Sequence, residues 1–100
     1  MDEATFRTRL ADLGCTELRT VDWSPGHATQ DHAHDFNAHG LIMRGAFTLT
    51  TPDGPRLLRA GDTFELSAGT PHHETVGTEA AQILAGRIYP ICLPRPGVDP

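Results

Sequence analysis

Cationic charge is scarce in this 100-residue chain: eight Lys and Arg stand against thirteen Asp and Glu, for a formal net charge of −5. No basic cluster forms anywhere along it, which excludes the electrostatic footprint of a nucleic-acid or anionic-membrane binder and leaves a small molecule as the expected partner. Cysteine is scarce too. Cys15 and Cys92 are isolated and far apart, so they make no disulfide framework and read as reduced, inert thiols. No apolar run approaches transmembrane length and no charged n-region with an apolar h-region opens the chain, so the expected compartment is the cytoplasm. There is no internal repeat and no low-complexity linker. A chain of this length supplies one core, and residues 1–100 are read as one domain.

What is present is a short leading helix followed by strand texture. Phe6, Leu10 and Leu13 recur at helical spacing through 4–13, and Gly14 supplies a C-terminal stop, so residues 1–14 form the leading helix. Residues 15–89 are short apolar or alternating runs broken by Gly, Pro, Asp and Thr, the texture of an all-β sandwich or barrel. Strands are expected at 17–23, 32–34, 40–44, 47–51, 56–58, 63–66, 72–76 and 82–89. Thr51-Pro52-Asp53-Gly54 is a hairpin tip, with proline presetting φ and glycine accepting a positive one. Pro90, Pro94, Pro96 and Pro100 make 90–100 unfit for a central strand and suit a surface arm or frayed tail.

The chemistry gathers at Gly26-His27-Ala28-Thr29-Gln30-Asp31-His32-Ala33-His34 and again at Gly61 to His72. In extended chain the two histidines of an H-x-H pair aim at one point, where a distant third can complete a facial set. Three protein ligands leave coordination positions open for water or substrate, as a reactive site requires.

On these residues the chain resembles the cupins, small antiparallel jelly-roll barrels with a mononuclear metal inside. The family's first motif runs Gly, five residues, His-x-His, three or four residues, Glu, six residues, Gly; Gly26, His32, His34 and Gly45 fit it. Its second runs Gly, five residues, Pro-x-Gly, two residues, His, three residues, Asn; Gly61, Gly69 and His72 fit. Fifteen residues, Ala46 to Ala60, separate the two. Three positions depart from the pattern. Anchoring on Gly45 puts Ala38 where the family has glutamate, whereas a four-residue gap puts His39 there and moves Gly45 out of register; Ser67 replaces the proline and Val76 the asparagine. The Gly45 anchor is preferred because it aligns Leu41-Ile42-Met43 with the apolar strand before that glycine. A one-residue slip would turn His39 inward, so His39 stays a candidate fourth ligand.

The resemblance implies an antiparallel jelly-roll barrel with a short N-terminal helix and one divalent transition metal ion held by His32, His34 and His72. A histidine-only set is similar to that of the thiol and diketone dioxygenases, which makes iron the preferred metal, with zinc, nickel, manganese and copper as alternatives. Without a carboxylate the metal keeps its double charge and favours an anionic substrate. The plainer reading of the three histidines is an exposed loop in a cupin that has lost its metal.

Glu74 shares the strand face of His72 and is the candidate catalytic carboxylate, as general base, substitute ligand or imidazole partner; its plainer reading is a rim carboxylate in water. His27 and His73 are read as exposed or as supporting the ligands, and Asp31 and Asp35 as pointing away from the metal. Phe36, Ile42, Phe47, Phe64 and Leu66 should wall the interior. Arg44 is a surface arginine on this reading. Two functions remain: an oxygenase-type metalloenzyme on a small polar or anionic molecule, or a non-catalytic ligand-binding or sensor module. Exposed jelly-roll edges are best covered by a second chain, so a homodimer is expected.

Overall fold

A computed structural model describes residues 1–89. The expected proline-rich arm 90–100, with Cys92, lies outside the described residues. The chain starts with α1 (Glu3–Asp12), capped by Asp2, whose side chain accepts from the Thr5 amide at 2.8 Å. This satisfies one of the amides that the first turn leaves without a partner. Gly14, with φ +84°, ends it.

Seven strands follow: β1 (Glu17–Trp23), β2 (Asn37–Arg44), β3 (Ala46–Thr51), β4 (Gly54–Arg59), β5 (Thr63–Leu66), β6 (His73–Thr75) and β7 (Ala81–Ile88). They pair antiparallel in two sheets, β1-β7-β2-β5 and β4-β3-β6, which close as a jelly-roll barrel. The β3–β4 hairpin turns at Pro52-Asp53, with Thr51 opposite Gly54 and Gly54 at φ +110°. The expected strand at 32–34 is corrected. That segment lies in the irregular chain between β1 and β2, which carries two isolated bridges, Ala28 to Thr75 and His32 to His72.

The four-stranded sheet is buried on both faces. Outward, Leu41 and Leu84 pack under Phe6 and Leu10 of α1, with Cys15, Leu18, Met43 and Ile88 around them. Inward, Ile42 and Ile83 meet Phe47, Leu49 and Leu58 of the opposing strands and Val76 just after β6 in the main core, flanked by Trp23, Ala38, Phe64 and Ala85. Gly45 has φ +71°, and a Cβ there would strike the Ala80 carbonyl; the chain can turn from β2 into β3 only with glycine at that point. Gly40 serves a different need. The Phe64 ring occupies the space its side chain would fill, so the ring seals the interior against bare backbone.

Candidate metal centre

The His32 and His72 backbones exchange two hydrogen bonds, His32 N to His72 O at 2.9 Å and His72 N to His32 O at 2.8 Å. This bridge joins chain segments forty residues apart and sets their imidazole centroids 4.4 Å from each other. The His34 ring lies 5.0 Å from that of His32 and 5.1 Å from that of His72, and its carbonyl accepts from the Gly69 amide at 2.8 Å. One nitrogen from each of the three falls within 4.8 Å of the others, the spacing of a set able to hold a metal ion.

The hydrogen bonds fix which nitrogens face the centre. His32 Nδ1 is 2.7 Å from the Gln30 carbonyl and His72 Nδ1 is 2.9 Å from the Thr70 carbonyl. A carbonyl oxygen only accepts, so both Nδ1 atoms carry the proton and both Nε2 atoms present a lone pair. These lone pairs face a carboxylate. Glu74 Oε2 is 3.3 Å from His72 Nε2 and 3.7 Å from His32 Nε2, and Glu74 is only 7% exposed. Two lone pairs and an anionic oxygen this close repel one another unless a proton or a metal ion lies among them. The three imidazoles therefore fit a metal ion, with Glu74 Oε2 beside two of them and outside the set of three.

Glu74 is held from both ends. Thr29 Oγ1 donates to Oε1 at 3.2 Å and accepts from the Glu74 amide at 3.0 Å, leaving Oε2 turned to the imidazoles. One expectation is corrected here. Glu74 is not a rim carboxylate, because on β6 it sits opposite Leu49, which faces the core. The group able to hold the ion is histidine-only, as expected, and Glu74 adds a carboxylate beside it. Burial, then the repulsion that a proton on His72 or His32 would exert, then the charge of Arg87 hold the His34 pKa below the ordinary imidazole value. His34 is thereby kept neutral and able to ligate.

His39 is not brought to this group, and its candidacy as fourth ligand is corrected. The pleat of β2 turns Ala38 and Ile42 to the interior and His39 the other way, with its Nδ1 3.9 Å from Glu65. His73 also faces outward, its Nδ1 2.7 Å from Asp31. His27 stacks on Trp23 with centroids 5.1 Å apart, and its buried Nε2 has no partner among the described residues.

The centre opens into a cavity of about 240 Å³, walled by Val21, Trp23, Phe64, Leu66, Ile83 and Ala85 and bordered by Glu17, Arg19, Phe36 and Arg87. That volume is below the range of drug-sized sites and suits a small ligand. Arg44 is exposed and takes no part in it.

The cupin domain model matches residues 19–86, most of the chain and all of the centre. The chain belongs to the cupin family. Solved structures similar to this cupin include a conserved protein of unknown function from Streptococcus pyogenes, 23% identical over 75% of this chain and 65% of that one, with a TM-score of 0.67. A cupin 2 conserved barrel protein from Salinispora arenicola is 23% identical over 73% of this chain and 62% of its own, at 0.66. The polyketide cyclase of Streptomyces resistomycificus is 19% identical over 76% and 60%, at 0.62. The chain thus spans less than two thirds of each of these proteins, and identities this low establish the fold alone. No curated protein matches the sequence. No helix among the described residues is long and apolar enough to cross a membrane.

Sequence reasoning missed Thr29, Arg19 and Arg87. Thr29 stands in the motif loop with nothing local to tie it to Glu74. Arg87 alternates with Ile83 and Ala85, but the other face of β7 is also apolar, so parity alone does not say which row faces inward.

Proposed function

We propose that this cupin is a metal-dependent enzyme of oxygenase type acting on a small polar or anionic molecule, with one divalent transition metal ion, iron by preference, held by His32, His34 and His72. The observation that carries the reading is the convergence of three imidazoles, two of them against a buried carboxylate, on a small, mostly apolar cavity. The metal, when bound, supplies Lewis acidity and, as iron, electron transfer to a substrate in its open positions.

The remaining chemistry belongs to the chain. Glu74 Oε2 accepts a proton from the substrate, and the Thr29 hydroxyl on Oε1 keeps the other oxygen aimed at it. The backbone carbonyls of Gln30 and Thr70 hold the Nδ1 protons, so neither imidazole has to reorient to ligate. Phe64, Leu66 and Ile83 keep the ligand's body out of water.

The test is elemental analysis of the purified protein beside a His32→Ala/His72→Ala variant, followed by oxygen uptake of the iron-loaded protein with a panel of thiols and enolisable carbonyl compounds. Near-stoichiometric metal lost in the variant, with oxygen consumed, is the expected result. Metal in neither protein would overturn the site. A ligand retained without turnover would leave a binding module instead.

A further inference from the structure

We infer that Arg87, supported at the rim by Arg19, is the specificity-determining residue of the cavity, and that the ligand it selects is a short organic acid whose free carboxylate it grips while the other end lies at the three histidines. The inference rests on the proposed metal site for the position of that second end, and adds the class of molecule and the residue that chooses it.

Three observations carry it. The Arg87 guanidinium carbon lies 4.4 Å above the Phe36 ring, and that ring stacks on His34 at 4.6 Å with an interplanar angle of 16°. The cation is therefore two stacking steps from the nearest ligand, on the same cavity wall. The ring contact restrains the guanidinium, whose paired N–H groups suit a carboxylate.

The second observation is the lack of an internal counter-ion. Glu17 is the cross-strand neighbour of Arg87, yet among the described residues no carboxylate lies within ion-pair distance of either Arg87 or Arg19. Both arginines border the cavity. A half-buried guanidinium with unused donors at a cavity mouth is a recognition group for an anion.

The third is what separates the two polar ends. Phe36 lies between His34 and Arg87, and Ala38, the cross-strand partner of both Arg87 and Leu66, lines the same cavity with Leu66 and Ala85; none of these side chains offers a hydrogen bond to a ligand's middle. The complementary molecule has polar ends and a short apolar spacer. A lysine at this position would supply charge but neither fork nor ring contact.

Glutarate and its monoamide, glutaramate, serve as probes, since each keeps one carboxylate for the centre and they differ in the charge at the far end. Calorimetric titrations compare the wild type with Arg87→Gln, Arg87→Met and Arg87→Lys, in zinc-loaded and metal-free forms, with metal content measured for each. The wild type should prefer glutarate roughly ten- to hundredfold, the size of charge-assisted hydrogen bonds. Arg87→Gln and Arg87→Met should erase the preference at unchanged zinc stoichiometry, and Arg87→Lys should keep part of it. Arg87→Met retains an apolar stem over Phe36 and covers failure of the glutamine variant to fold. An equal preference in the neutral variants, or no preference or no binding in the wild type, would overturn the inference. Zinc failing to bind while the Arg87-dependent preference persists in metal-free protein would overturn the metal reading and leave this one standing.

Discussion

The two halves of the barrel interior use the same strands to opposite ends. In the closed half, Ile42 on β2 meets Phe47, Leu49 and Leu58 and leaves no room, and Ile83 on β7 stands at the boundary with the cavity. A few residues along the same inward rows, β2 presents Ala38 and β7 presents Ala85 and Arg87, facing open space and imidazoles. From Asn37 to Ile42 the β2–β7 pairing keeps one register, and it shifts only beyond, between Ile42 and Arg44. What changes is side-chain volume and what lies opposite: strand β3 in the closed half, the irregular chain carrying His32 and His34 in the open one. The site exists because small residues withhold packing there.

The sharpest way to break that contrast is to open the closed half. Phe47→Ala should destabilise the protein by about 3–5 kcal/mol through lost burial and an unfilled cavity, read as a fall in the denaturant midpoint. A loss under 1 kcal/mol would mean that half is not the stabilising core. In the open half the effects should fall on chemistry. Glu74→Gln should lower turnover roughly 10²-fold or more at unchanged metal content; loss of metal instead would make Glu74 a donor to the ion rather than the proton acceptor.

Acid should separate the halves more gently. The folded-state pKa of His34 lies below the ordinary value, so the unfolded chain binds more protons in the interval between them. Its stability contribution is intact above about pH 6.5 and is lost as pH falls toward the lower folded value. Metal-free wild type should therefore lose melting temperature from pH 7 to pH 5 more steeply than His34→Asn; equal slopes would contradict the assignment. The smallest effect belongs to the outer face. His39→Gln should change metal content by less than about twofold, as a residue on the far side of β2 requires.

Much of this was legible in the chain. Strands β1 and β5 lie where alternating residues place them, and the turn at Pro52-Asp53 follows from its residue types. The Gly45 anchor put Ala38 at the inward position it occupies. The expected strand at 32–34 failed because Asp31 and Asp35 favour local turn conformations, and a single bridge, to His72 just before β6, pairs the segment. Thr29's hold on Glu74 was out of reach for another reason. A contact across forty-five residues depends on how two loops close, and no local period encodes it.

The backbone bridge between His32 and His72 gives the centre a mechanical role. Any ion gripped by both imidazoles clamps the irregular chain after β1 to the start of β6, the two places where the second sheet lacks regular pairing. Metal supply then acts as a fastening on the weakest seam of the barrel. Chelation should loosen that seam first, exposing the amides of His32 and His72 to hydrogen exchange while those of β7 stay protected.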